Sequence, residues 1–337
     1  MKRSILLILG FLAGIIPAFA QMSADSTTVQ VVAYWQVGDK YTYQVEESRY
    51  KVLNGTDTTD VQRSAHLVTY EVVDATDTTY RVRVKSDDFQ HSDYGMSALM
   101  DEISMSGNIP YEFETDEYGT FKRIIISEED FQNFKDAMNL AVDRMTEGKE
   151  GMTDEVREAT RTLVQDILTR EKIEQLYTAE FKPLIQFHGL RMAIGVEVPY
   201  ETETPSLFGN GENIKMNGRF WADEELTDNY SVVIREEEEV DEGDMLKMVQ
   251  GLLEKTLDSL SPLSDEETMK EAKEEMGKVF DNMKMDVRTS SFEEIHLDTG
   301  WPIYFEFEKS TLVKVEDMEQ RQFLSQSVSL LLENEDE

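Results

Sequence analysis

Three stretches near the start of the chain alternate strictly between apolar and polar side chains, and that period of two restricts the fold more than any other feature. Tyr41, Tyr43 and Val45 alternate with Thr42, Gln44 and Glu46. Val68, Tyr70 and Val72 repeat the spacing, and Tyr80, Val82 and Val84 alternate with Arg81, Arg83 and Lys85. Successive side chains of a strand point to opposite faces, so each run has one face to bury and one to leave in water. Runs of this kind joined by turn residues read as an antiparallel sheet covered on one side. Asn54-Gly55-Thr56-Asp57 and Asp74-Ala75-Thr76-Asp77 supply the turns, and Val37-Gly38-Asp39-Lys40 a tight turn before the first long strand.

Residues 86–108 are polar, with a short helix expected over 94–103, and a hairpin follows over 109–126, turned at Asp116-Glu117-Tyr118-Gly119. Ser127 with Asp130 then opens a helix whose stripe is Phe131, Phe134, Met138, Ala141 and Met145, and a second helix begins at Thr153. The second half repeats this order loosely. Strands are expected over 187–200, 213–222 and 229–240, and helices from Asp244 and Ser264. Strands follow over 285–297 and 302–315, then a strand or helix over 321–332. The fold class is therefore α+β: a curved, half-barrel-like antiparallel sheet packed against two helix pairs. The expected divisions are a leader at 1–20, a first lobe at 21–180 with its helix pair at 127–178, a second lobe at 181–332 with its pair at 244–284, and an acidic tail at 333–337. Two duplicated lobes and one shared core both fit, since no Pro-, Gly- or Ser-rich linker separates the halves.

Residues 1–20 read as a secretory signal peptide. Lys2 and Arg3 precede an apolar run shorter than the roughly 20 residues of a membrane span, and Pro17 precedes the small-residue site Ala18-Phe19-Ala20. Cleavage after Ala20 and export to the periplasm or beyond are the expectation. The chain carries 69 Asp+Glu against 33 Lys+Arg, a net charge of −36. That charge disfavours nucleic acid and anionic headgroup surfaces. With no cysteine, disulfides, thiolate metal sites, cysteine nucleophiles and a lipidated N-terminal cysteine are excluded.

Motifs for catalysis are missing. His66, His91, His188 and His296 share no metal-ligand spacing, and the nucleophile-elbow, phosphate-loop and zinc-protease patterns do not occur. No catalytic residue, metal or cofactor is expected. The run Glu236-Glu237-Glu238-Glu239 lacks calcium-loop order, and a strand sends alternate glutamates to opposite faces. It reads as a solvated edge strand entering a helix. Arg81, Arg83 and Lys85 put three cations on one strand face, where they meet an anionic group or, by cross-strand pairing, Glu112 and Glu114. The 17 methionines are the most suggestive excess, because an unbranched, polarizable side chain adapts to varied apolar partners. Met138, Met145, Met248 and Met276, with Tyr41, Tyr43 and Trp301 from the sheet, are the candidate lining of an apolar pocket; plain helix core is the competing account.

Trp35-Gln36-Val37-Gly38-Asp39-Lys40-Tyr41-Thr42-Tyr43 and Leu297-Asp298-Thr299-Gly300-Trp301-Pro302-Ile303 resemble the opening and the late hairpin of many exported Gram-negative bacterial proteins of unknown function. The resemblance implies a curved sheet packed on helices, similar to the periplasmic lipoprotein carriers, and hence an apolar cargo. The expectation is a non-catalytic envelope protein that binds a lipid or acyl chain. The alternatives are an acidic scaffold protein whose partner is another envelope protein, and a hydrolase whose carboxylates assemble only in space.

Overall fold

The structure, a computed structural model, describes residues 27–91, 111–146, 153–154, 157–158, 160–162, 169–181, 184–205, 213–260, 266–316 and 318–331. Its strands are β1 (Thr28–Gln30), β2 (Lys40–Leu53), β3 (Asp57–Ala75), β4 (Thr79–His91), β5 (Tyr111–Asp116), β6 (Phe121–Ile125), β7 (Arg191–Ala193) and β8 (Val198–Pro205). They continue as β9 (Asn213–Ala222), β10 (Ser231–Val240), β11 (Met283–His296), β12 (Pro302–Val315) and β13 (Met318–Leu330). The described helices are α1 (Glu128–Thr146), α2 (Arg170–Phe181), α3 (Glu242–Leu260) and α4 (Glu266–Asp281). The expected leader, the helix expected over 94–103 and the acidic tail lie outside the described residues.

Eleven strands form one open antiparallel sheet in the order β6-β5-β4-β3-β2-β13-β12-β11-β10-β9-β8, and β1 pairs with β7 apart from it. The balance expected of an α+β fold is corrected: the molecule is mostly β, with few helices beside a dominant sheet. The cause is strand length. β3 has 19 residues and β2, β11 and β12 have 14 each, well beyond the windows that alternate cleanly in sequence. The last stretch, where strand and helix were both open, is β13, and it pairs with β2 along Gln320↔Leu53 to Leu330↔Tyr43. Strands from the two halves of the chain thereby share one sheet. The strand expected over 187–200 is split. Gly189 and Gly195 take positive φ, ending the turn that carries His188 and separating β7 from β8.

Local signals behave as the side chains require. Gly38 (φ 97°) makes the turn before β2, where Asp39 accepts from the Gln36 amide. Ser127 Oγ accepts from the Asp130 amide at the start of α1, and Asp241 Oδ1 from Asp244 at the start of α3. Thr169 is not helical and caps α2 by accepting from the Lys172 amide.

Continuous register defines two faces. One cross-strand row runs Val45, Val328, Phe305, Glu293, Ile234, Ala222, and every member is buried. This inner face carries both hydrophobic cores. The larger packs Tyr43, Tyr70, Val82, Phe113 and Phe305 beneath Trp35, Phe181 and Ile185. The smaller packs Ile234, Ile295 and Leu297 beneath Val29, Val31 and Phe187. Burying a large side chain completely is worth about 1.5–3 kcal/mol, so these cores fix the register on which all face assignments depend.

Candidate functional site

The inner face changes character along the strands. Beyond the dry row lie Glu47, Gln326, Phe307, Ser291, Glu236 and Phe220, and next to them Arg49, Leu324, Lys309, Thr289, Glu238 and Gly218. Farther out are Thr311 and Gln322, then Val313 and Met285. Phe307, Leu324, Val313 and Met285 are half-buried. The opposite faces of the same strands carry Lys284, Arg288, Glu308, Lys314 and Arg321, all exposed. Helix α3 packs on β9 and β11 at this end of the sheet. Its first turn is pinned there, since Glu242 accepts from the Met285 amide (3.1 Å) and Asp244 from the Lys215 amide (3.3 Å).

An acidic network sits beside this strip. Tyr200 Oη lies 2.5 Å from Glu236 Oε1 and 2.8 Å from Glu238 Oε1. A phenol has one proton, so Tyr200 donates to one of the two carboxyl groups at a time. Burial, with Glu238 nearby, pushes the Glu236 carboxyl up, partly offset by the bond from Tyr200. Gln186 donates to the other Glu236 oxygen (2.9 Å), and Thr289 to Glu238 (3.1 Å). Glu293, fully buried in the dry row, has no hydrogen-bond partner for either oxygen among the described residues. Its carboxyl is raised well above the usual range, first by burial and then by Glu236.

Tyr200 reaches β10 by crossing β9 at Gly218, the residue directly between them in register. A Cβ on Gly218 would lie 2.4 Å from the Tyr200 ring. Gly218→Ala is expected to displace the ring, break both phenol bonds and cost about 1–3 kcal/mol. A urea-unfolding cycle with Tyr200→Phe checks this: the double variant loses little more than Gly218→Ala alone, whereas additive losses would show that the ring had not moved.

Lys309 stands between Thr289 and Leu324 in the same row as Glu238. Burial holds its ammonium below the usual lysine value, and Arg49 adds to the effect. Among other half-buried cations, Lys51 pairs with Asp60 (2.9 Å), Arg235 with Asp223 (2.9 Å) and Arg170 with Glu128 (2.5 Å), while Lys135 lies over the Phe131 ring (5.8 Å).

The outer face holds a trough of about 740 Å³. Its residues fall into two adjacent outer rows: Arg219, Glu237, Ser290, Glu308 and Ser325, then Asn217, Glu239, Arg288, Ser310, Phe323 and Tyr50. Small serines lower the middle, between the arginine end and the stacked Tyr50–Phe323 pair (4.8 Å). The row between them, Lys309 included, also borders the trough, although strand alternation sends its side chains to the inner face. The arginines are already paired, Arg219 with Glu197 and Glu237, Arg288 with Asp286 and Glu239.

The structure brings three of the expected residues together. Trp301 stacks on Tyr41 and on Trp35, each at 4.6 Å, and Tyr43 donates to the Pro302 carbonyl (2.9 Å). They form a packed aromatic core, with His188 bonded to the Gly300 carbonyl (2.6 Å) and held neutral by burial at a pKa of about 4. The methionines are not gathered around it. Met138 lies on α1, whose Phe134 meets Tyr177 of α2 beside β5 and β6, while Met248 and Met276 lie half-buried on α3 and α4 at the other end of the sheet. The Met145 side chain is outside the described residues. Arg81 and Arg83 both meet Glu112 (3.5 and 2.8 Å), Lys85 meets Asp87 (2.8 Å), and Glu114 pairs with Arg123 (3.0 Å). The glutamate run lies on β10, inside the sheet rather than at its edge, with Glu236 and Glu238 inward and Glu237 and Glu239 outward. Sequence reasoning passed over Lys309, Glu293 and Tyr200, although Lys309 shares parity with Phe305 and Phe307, and Glu293 with Val287 and Ile295. Among the described residues no group of three or more His, Asp or Glu is arranged to hold a metal, and no helix is long and apolar enough to cross a membrane.

No protein-family model matches the chain, and no curated protein matches it. Among solved structures it is similar to lipovitellin, described for its lipid–protein interactions, at 10% identity and a TM-score of 0.41 over 88% of this chain. The chain spans 25% of lipovitellin's length. It is also similar to Ail, the attachment invasion locus protein of Yersinia pestis (3% identity, TM-score 0.14, 88% of this chain and 100% of that one). A third likeness is to OccK5 of Pseudomonas aeruginosa (5% identity, TM-score 0.20, 87% of this chain and 99% of that one). Likenesses this distant carry no argument about function.

Proposed function

We propose that this chain is a non-catalytic binding protein, exported to the cell envelope, that holds a lipid or acyl chain on the inner face of its sheet. The observation that supports the reading is the asymmetry of β11, β12 and β13. Their outer faces mix the exposed charges Lys284, Arg288, Glu308, Lys314 and Arg321 with serines and scattered apolar residues such as Leu312 and Phe323, whereas their inner faces keep Phe307, Leu324, Val313 and Met285 half-buried beyond the packed cores. Apolar surface left partly open beside a rigid sheet gains free energy when an alkyl chain covers it, at about 25 cal/mol per Å². Helix α3, carrying Met248, stands over the same end. The neutral Ser291, Thr289, Thr311 and Gln326 beside the strip tolerate an amphipathic ligand without demanding a charged partner.

Adjacent residues on opposite faces test the placement. A fluorescent fatty acid such as parinaric acid is titrated into the protein, into Leu324→Asp and into Ser325→Asp. Leu324→Asp is expected to weaken uptake about tenfold or more, and Ser325→Asp to change it less than about twofold. The reverse ranking would move the ligand to the outer trough. The trough favours a second reading, an interaction surface for a polar partner in the envelope, because its volume and paired charges suit hydrogen bonding rather than an alkyl chain.

A further inference from the structure

Resting on the acyl-binding reading, we propose that Lys309 anchors the head of the ligand, which is therefore an amphiphile carrying a single negative charge, such as a long-chain carboxylate. Among the described residues Lys309 has neither a hydrogen bond nor an ion pair, although it is half-buried and belongs to a chain of net charge −36. Removing a cation from water without a counter-charge is costly, so unpaired ammonium groups belong to the exposed surface. Lys309 is instead set among Thr289, Leu324, Phe307 and Thr311 on the inner face.

The neighbouring charges point the same way. Arg49 shares the row and is neutralised by Glu47 at 2.7 Å, so it repels Lys309 without demanding an anion of its own. Glu238, the other charged side chain in the row, is engaged by Tyr200 and by Thr289. Those donors are neutral, so Glu238 keeps its charge, and Lys309 is the cation of this row without an ion pair among the described residues, a single positive charge that matches a single negative one. A phosphate monoester, with its second charge, would leave an excess negative charge near Glu238 and Glu236. The half-buried Phe307 and Leu324 flank the ammonium, so a ligand whose head meets Lys309 lays its first methylenes on them. A free small anion gains only the charge contact, which solvent competes for.

Calorimetric titrations of the purified protein with oleate, oleyl alcohol and acetate separate these contributions. Oleate is expected to bind, oleyl alcohol more weakly and acetate not measurably. Lys309→Gln is expected to weaken oleate about tenfold and to leave oleyl alcohol within about twofold, while the outer-face control Lys314→Gln changes neither. Lys309→Arg, which keeps the charge, should restore most of the oleate affinity; it serves as the folded comparison if Lys309→Gln expresses poorly. Oleate and oleyl alcohol binding equally, with no effect of Lys309→Gln, would overturn the anion site and leave acyl binding standing. Acetate binding as tightly as oleate would overturn the amphiphile. If neither long-chain ligand binds, the acyl-binding reading fails, and this inference with it.

Discussion

Trp301→Ala is expected to cost about 3–5 kcal/mol, the range for deleting a large aromatic side chain from a core that cannot collapse around the loss. Trp301 is 2% exposed and stacks between Tyr41 and Trp35, with Tyr70 close by at 6.2 Å. Its position is set by a tight approach of two segments. Gly300 has φ 72°, and a Cβ there would stand 2.3 Å from the Val32 carbonyl oxygen, so the hairpin before β12 packs directly on the chain entering β2. Losing the indole therefore opens a void between β2, β12 and the 31–36 segment rather than at a surface. Urea unfolding followed by far-UV circular dichroism checks the figure. A loss below about 1 kcal/mol would place Trp301 at a surface, as a ligand contact would be, and contradict the packed aromatic core.

Glu293→Leu is expected to stabilise the protein by about 1–3 kcal/mol. A carboxyl with both oxygens buried and unbonded is destabilising, and an apolar side chain of similar volume restores contacts with Ile234 and Phe305 on either side. The pH dependence separates this from a simple packing gain. Burial raises the folded-state pKa of Glu293 above its unfolded value, so the folded protein holds the proton more tightly. Its contribution is therefore complete at low pH and is lost as pH rises from the unfolded carboxylate range through the raised folded value, at up to about 1.4 kcal/mol per pH unit. Glu236 is displaced in the same direction and adds to the trend. His188 acts oppositely: its pKa of about 4 makes stability fall as pH drops from the ordinary histidine range to that value. Measured above about pH 8, where His188 is neutral in both states, Glu293→Leu and Glu293→Gln should flatten the decline. An unchanged slope in both variants would show that Glu293 is ionised or hydrated in the folded protein.

The strands were legible because alternation is a local signal and the sheet satisfies it locally. Tyr41, Tyr43 and Val45 face inward together for the reason that their spacing announces. Where the pattern weakened, reading weakened with it. The sequence over β13, with Phe323, Leu324, Val328 and Leu330, fits either period, and only pairing with β2 and β12 decides for a strand. The helix stripes were seen, but not where their helices attach, so methionines at opposite ends of the sheet looked like one lining. Arg81, Arg83 and Glu112 were legible as partners because β4 and β5 pair through a register that sets Arg83 opposite Glu112 and Arg81 one position along, opposite Glu114. The residues of the candidate site gave no local signal, since Lys309, Glu238 and Tyr200 fall in one row only through five strands in register. Glu293 was visible in principle. It shares parity with Val287, Ile295 and Leu297, so a strict reading of β11 places one glutamate on an otherwise apolar or neutral face.

Taken together, these features describe a rigid, mostly β scaffold whose inner face is dry at one end and amphipathic at the other. The fold supplies two ways of marking the boundary: a hydrogen-bonded network at Tyr200, Glu236 and Glu238, and Lys309, a cation without an ion pair among the described residues. The reading of an acyl-binding protein places its ligand on the amphipathic side of that boundary. The direct test is native mass spectrometry of residues 21–337, purified gently from the envelope fraction of its own host. The account predicts a reproducible excess mass that leaves on denaturation and is recovered as a lipid by organic extraction. A mass matching the bare chain, together with no uptake of added oleate, would contradict it.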